Sequence, residues 1–246
     1  MQPALKRVSP SGYRALDTSS VIDYLAGSPC AKQLGGKSSA WRAREVGDGN
    51  LNMVFIVTGP DGGLVVKQAL PYVRLVGESW PLPLSRAHYE HLALCEQVRH
   101  APQYVPAIYH HDEELALTAM EYLSPHIILR KGLIKGTVYP HMAQHLGEFL
   151  ALTLFRTSDL HLNAAAKKVA IGQFLGNTAL CKITEDLVFD EPYFAAPMNR
   201  HTSPQLDDIA LAFRKDAPLK EAAQEMKWRF MNHAEAMIHG LSLIHI

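Results

Sequence analysis

Cysteine is scarce in this 246-residue chain: Cys30, Cys95 and Cys181 are far apart and odd in number. That excludes a disulfide framework and fits free thiols in a reducing compartment. An apolar core of a secretory signal is missing from the start, MQPALKRVSPSGYRALDTSS, and no run approaches the ~20 apolar residues of a membrane span. Excess charge of either sign is absent too: Lys+Arg and Asp+Glu both number 24. Nucleic-acid binding by a basic face therefore has no support. No internal repeat or low-complexity tract is visible. These absences describe a cytoplasmic globular protein without a membrane or nucleic-acid partner. With 48% hydrophobic and 20% charged residues, it can bury one large core or two modest ones.

Two familiar chemistries also lack their motifs. Gly36-Lys37-Ser38 ends like a phosphate-binding Walker loop, but Ala31 stands where its first glycine belongs and no strand precedes it. His141, His145 and Glu148, and separately His110, His111 and Asp112, suggest a metal. The His-Glu-x-x-His pattern of a zinc hydrolase is absent, so these histidines read as exposed or capping residues and no metal ligand is assigned.

What is present concentrates between Glu45 and Arg74, EVGDGNLNMVFIVTGPDGGLVVKQALPYVR. A strand over 41–46 meets Gly47-Asp48-Gly49-Asn50, and an alternating strand over 51–58 follows. Gly59-Pro60-Asp61-Gly62-Gly63 closes a hairpin onto Leu64-Val65-Val66-Lys67. A Gly-Asp-Gly-Asn hairpin alone is more often just a turn, and a strand lysine alone usually points to solvent. Together they place Lys67 beneath a glycine turn whose amides can approach phosphate oxygens. A helix over 85–98, with Tyr89, Leu92, Cys95 and Val98 near one face, brings Glu90 within reach of Lys67. The alternative for Glu90 is a solvated face with Arg86, one turn back, as its partner.

Ahead of this, Ser19 or Ser20 caps a short helix through Val21, Ile22 and Leu25 that Gly27 ends. Two strands, 107–111 and 115–120, complete a set of five with one helix inserted after the third. Glu121-Tyr122-Leu123-Ser124-Pro125 reads as a connector to a largely helical remainder. Helices are expected over 140–153, 164–175, 205–215 and 219–238, the last with a stripe of Ala222, Ala223, Met226, Phe230, Ala234 and Met237. Pro71 to Pro81, with Tyr72, Arg74, Glu78 and Trp80, reads either as a rigid cover on the sheet edge or as a lip of the site. A small sheet-rich lobe joined to a helical one is a protein-kinase-like plan, and ligands favour clefts between such lobes.

The runs EVGDGNLNMVF, VVKQALPYVR and VGESWPL closely resemble the 5-methylthioribose kinase family. So do SRAHYE, KGLIKGTVYPHMAQHLGEFLALTLFRTSDL, LCKITEDLVFDEPYF and HAEAMIHG, and the likeness runs from about Trp41 to Gly240. The resemblance implies an α+β, protein-kinase-like fold related to aminoglycoside phosphotransferases. Residues 1–120 would be the N-lobe, with five antiparallel strands, 121–124 the hinge, and 125–240 an incomplete helical C-lobe. It implies transfer of the ATP γ-phosphate, with Mg²⁺, to the 1-hydroxyl of methylthioribose in methionine salvage, a route of amino-acid biosynthesis, by a homodimer. Gly47, Asp48, Gly49, Asn50, Asn52 and Lys67, supported by Glu90, would contact the nucleotide. Glu121, Tyr122 and Leu123 would hold adenine through backbone groups; the family commonly has Glu-Asp-Leu, so Tyr122 departs from it. The family's His-Gly-Asp motif carries its catalytic aspartate, and here Leu241 follows His239-Gly240. No counterpart of the Mg²⁺-holding Asp-x-Glu segment follows, and the tail 241–246 matches nothing in the family. The expectation is an inactive N-terminal portion whose last helix leaves part of its apolar stripe uncovered.

Overall fold

The computed structural model describes residues 12–47, 51–74, 77–196 and 199–238. These fall into two compact units, one ending at Arg156 and the other beginning at Thr157.

The first unit is built on an antiparallel five-stranded sheet. Its strands are β1 (Arg42–Glu45), β2 (Asn52–Thr58), β3 (Gly63–Ala69), β6 (Ile108–Asp112) and β7 (Leu117–Glu121), in the order β1-β2-β3-β7-β6. The alternation read from the sequence is the reason: Phe55, Val57, Leu64, Val66, Leu117 and Ala119 project from one face and are all 0% exposed. Against that face pack α1 (Ser20–Ala26) and α2 (Ala31–Leu34), through Val21, Leu25, Cys30 and Leu34. Two tight approaches require glycine. A Cβ on Gly59 would stand 2.2 Å from the Leu34 carbonyl oxygen, and Gly35, at φ +65°, would place one against the Asp61 side chain.

Three local expectations are corrected. Neither Ser19 nor Ser20 caps α1; the carboxylate of Asp17 accepts both their amides and both their hydroxyls. These bonds hold Asp17 well below the usual carboxylate range. The five expected strands become seven among the described residues, because β4 (Tyr72–Val73) pairs with β5 (Gly77–Pro81) in the segment read as a cover or a lip. Helix α3 (Arg86–His100) buries Arg86, Ala87, Ala93 and Gln97, while Tyr89, Leu92, Cys95 and Val98 stay half-buried. The small alanines let α3 lie close to the sheet, and Arg86 gains carbonyl partners by turning inward. The unit closes with α4 (Leu129–Ile134) and α5 (Met142–Arg156), whose Phe149 meets Tyr104 edge-on at 6.3 Å.

The second unit is helical: α6 (Ala164–Phe174), α7 (Thr178–Thr184) running into a π-helical turn over Glu185–Asp190, α8 (Asp207–Lys215) and α9 (Ala217–Asn232). Asn163 and Asp216 cap α6 and α9 by accepting the amides of Ala166 and Leu219, each at 2.9 Å. Helix α9 stops at Asn232, six residues short of the expected end at Ile238. The following segment finds better partners elsewhere. The Glu235 carbonyl accepts from the Asp159 amide and from Lys167 Nζ, and the Met237 amide donates to Thr157 Oγ1. Of the expected stripe, Ala223 is buried and Met226 is 51% exposed. No helix among the described residues is long and apolar enough to cross a membrane.

Candidate functional site

The face of the sheet opposite the core carries the chemistry. Ladder register puts Val54, Lys67 and Thr118 in one row, Ile56, Val65 and Met120 in the next, and pairs Asn52 with Ala69 beyond Lys67. Val54, Ile56, Val65 and Met120 are only half-buried, leaving an open apolar floor beside the lysine. Lys67 emerges on this side because its neighbours Val66 and Gln68 are committed to the core.

Helix α3 lies over this face, and Glu90 forms an ion pair with the Lys67 ammonium. Both side chains are largely enclosed, at 12% and 22% exposure. Arg86 is not the solvated companion of Glu90. Only 4% exposed, it donates to the carbonyl oxygens of Leu51 and Leu70, the latter at 2.9 Å. Burial lowers its pKa to about 10, opposed by the Glu90 charge. Arg86 thus ties the residue that follows the glycine turn to the end of β3. Sequence reasoning missed it because an arginine in a first helical turn carries no mark of burial. The Arg74–Glu45 ion pair, 2.5 Å, links the far end of the same segment to β1.

Of the expected glycine turn, Gly47 is described and has open space around its α-carbon; Asp48, Gly49 and Asn50 lie outside the described residues. Asn52 begins β2 on the Lys67 face, two register pairs from the lysine. At the other end of β3 the Tyr122 ring packs over Gly63, 3.2 Å from where a Cβ would stand. Tyr122 and Lys67 therefore occupy the same face, four residues apart along β3, roughly 13 Å at the rise of a strand. The Glu121 amide donates to the Ala107 carbonyl, and its carboxylate accepts the Ala107 amide. The Tyr122 carbonyl accepts from Ser124. Leu123 is 39% exposed, and its backbone enters no hydrogen bond among the described residues. His239, Gly240 and Leu241 lie outside the described residues.

The histidine groupings suggested by adjacency separate, because successive strand residues face opposite ways. His110 and Asp112 both meet the Tyr24 hydroxyl, whereas His111 bonds Thr118 on the other face. His141, just before α5, and His145, on it, are exposed, with ring centroids 5.8 Å apart.

No protein-family model matches the chain. It is 47% identical over 234 residues to a methylthioribose kinase of Escherichia coli O45:K1, an alignment covering 94% of this chain and 56% of that protein. A methylthioribose kinase 1 of Oryza sativa subsp. japonica is 46% identical over 93% of this chain and 54% of its own length. One from Klebsiella pneumoniae subsp. pneumoniae is 50% identical over 80% and 50%. The chain spans about half the length of the curated relatives it matches. Over that span, the chain is similar to the methylthioribose kinases.

Proposed function

We propose that these residues form the nucleotide-holding part of a methylthioribose kinase with a protein-kinase-like fold, whose whole activity is ATP-dependent phosphorylation of methylthioribose at its 1-hydroxyl in methionine salvage. The lobes would be 1–120 and 125–240 with a hinge at 121–124, and the whole protein a cytoplasmic homodimer. The observation that carries the reading is Lys67, braced by Glu90 on the open face of β3, two register pairs from Asn52.

Phosphoryl transfer needs little covalent help from the protein; positioning and charge neutralisation do most of the work. The open face supplies both along its length. At the Tyr122 end, Ile56, Val65 and Met120 offer an apolar surface for a purine, and the Leu123 amide a donor for its edge. At the other end the Lys67 ammonium meets the phosphate chain, with Asn52 two register pairs away. Glu90 limits the rotamers of Lys67, so less conformational freedom is lost when phosphate binds. The departure at Tyr122 is tolerated because its ring rests on Gly63 while backbone groups would make the base contact.

The donor set around Lys67 fits a phosphate chain. It does not by itself fit Mg²⁺, which wants several oxygen ligands, because the Glu90 carboxylate is engaged with the lysine. Mg²⁺ bound with ATP would neutralise phosphate charge. Leu241, standing where the resemblance sets the catalytic aspartate, favours a second reading for a polypeptide of these 246 residues: a module that binds nucleotide without transferring phosphate.

Two measurements on that polypeptide test both readings. ATP should raise its melting temperature, and Lys67→Ala should abolish the shift. With ATP, Mg²⁺ and methylthioribose, ADP should not accumulate. Absence of any ATP effect refutes the nucleotide site, and turnover refutes the binding-only reading.

A further inference from the structure

Where α3 crosses the sheet it covers a second cluster. Opposite Thr118 in the ladder lies His111, so one row runs Val54, Lys67, Thr118, His111 across β2, β3, β7 and β6. Glu90 of α3 reaches the lysine in that row. His88 and His91 of the same helix meet the histidine.

The ligand atoms of His88, His111 and Glu113 all lie within 4.8 Å of one another. His88 Nδ1 and Glu113 Oε1 are already 3.0 Å apart. This is close to the ~3.3 Å between neighbouring ligands in a tetrahedral site with bonds of about 2.0–2.1 Å. His111 Nδ1 lies 3.0 Å from Thr118 Oγ1, and in the tautomer with its proton on Nδ1 that nitrogen donates to the hydroxyl. Its Nε2 is then the acceptor, and this atom is buried without a hydrogen-bond partner. A buried imidazole nitrogen left unpartnered is costly in a folded protein. His88 and Glu113 each bring a ligand atom within 4.8 Å of one on His111. The three residues, with Leu84, Ala87 and Ala116, line a cavity of about 320 Å³.

The surroundings suit a bound cation. His91 stacks flat on His111, ring centroids 4.1 Å apart, shielding one face. Two imidazoles and one carboxylate match the preference of Zn²⁺, with a fourth position for water; Mg²⁺ and Ca²⁺ prefer an all-oxygen shell. His88 and Glu113 side chains are 41% and 74% exposed, so both can rotate to close on an ion.

We propose that His88, His111 and Glu113 form a transition-metal site of the Zn²⁺ class, which pins the first turns of α3 to the β6–β7 hairpin. Thr118 orients the His111 ring from behind, as outer-shell partners of metal-bound histidines commonly do. The metal would be a brace with no part in phosphate transfer. It would hold the helix two residues from Glu90, on the sheet row that carries Lys67. The sequence hides this site because its ligands are spaced 23 and two residues apart, on a helix, a strand and a turn. Adjacency pointed instead to His110 and Asp112, which face away.

Equilibrium dialysis of the 246-residue chain against Zn²⁺, followed by metal analysis, tests the assignment. One tightly held ion per chain is expected, with a rise in melting temperature, and Co²⁺ in its place should give tetrahedral visible absorption. His88→Ala and Glu113→Gln, both at the surface, should each weaken binding at least tenfold while leaving the metal-free melting temperature unchanged. Thr118→Val should weaken it about 10- to 100-fold. No bound ion overturns the proposal, as does binding indifferent to His88→Ala and Glu113→Gln. Binding lost instead in Cys95→Ser or His141→Ala assigns the ion elsewhere and overturns it equally.

Discussion

Replacing Gln68 by leucine should destabilise the sheet-bearing unit by about 3 kcal/mol. Gln68 is 0% exposed and sits next to Lys67, on the opposite face of β3. Its Oε1 accepts the Leu16 amide at 2.8 Å, and its Nε2 donates to the carbonyls of Arg14 at 2.8 Å and Leu115 at 3.0 Å. One side chain thus satisfies three backbone groups that have little access to water. Leucine fills nearly the same volume but leaves all three without a partner. Each loss costs about 1–3 kcal/mol, and burying the apolar replacement returns about 1.5–3 kcal/mol. Three modest losses less that gain give the figure above. For a chain of this size it corresponds to a fall in melting temperature of about 6–12 °C. Hydrogen exchange supplies the local reading: the Leu16 amide should lose its protection beyond what the global change explains. Melting within about 2 °C of the parent would refute the reasoning, because it would mean these groups find other partners without cost.

Glu90→Gln keeps the shape of the Lys67 partner but removes its charge, and should weaken ATP binding about tenfold, or ~1.4 kcal/mol, by titration calorimetry; unchanged affinity would show that Glu90 does not position the lysine. Gly35→Ala combines a φ of +65° with a Cβ 1.9 Å from Asp61 Oδ2, so it should cost about 1–3 kcal/mol in denaturant unfolding, whereas Gly47→Ala, with open space around it, should be tolerated. In the helical unit, burial raises the pKa of Asp190, but hydrogen bonds from Lys227 and Gln224 outweigh it and the net shift is downward from 3.8. Its contribution is therefore present above about pH 4 and lost as pH falls further. Asp190→Asn should lower stability at neutral pH and flatten the decline in acid melts, and an unaltered acid limb would contradict that linkage.

The main sheet was legible because strand alternation and glycine turns are local. Phe55, Val57, Leu64 and Val66 announce one buried face without knowledge of what covers it. The departures arise where a distant partner decides. Helix α9 reads on to Ile238 by periodicity, yet Glu235 and Met237 bond residues near Thr157, some 80 positions earlier, and the helix ends at Asn232. Asp17 outcompetes the serines as the α1 cap because its carboxylate serves two amides at once. The β4–β5 hairpin was masked by its prolines, which are tolerated on a two-stranded ribbon with solvent on its outer edges.

The site shows the same division more sharply within β3. Lys67 was visible in the sequence because a charge after Leu64, Val65 and Val66, on the strand paired with the one after a glycine turn, breaks the apolar pattern. Gln68, which breaks it equally, drew no attention, since an amide carries no charge to suggest chemistry. The two are adjacent, and strand geometry sends them to opposite faces. Lys67 can stand on an open surface only if β3 is fixed from behind, and Gln68 supplies part of that fixing through Leu16, Arg14 and Leu115. Arg86 does the same for the turn that precedes β2, by holding the Leu51 carbonyl from inside the fold. The residues that would touch phosphate are therefore set by polar groups buried one layer deeper. Those groups are hidden from sequence because their partners are backbone atoms, which every residue has and no motif can mark.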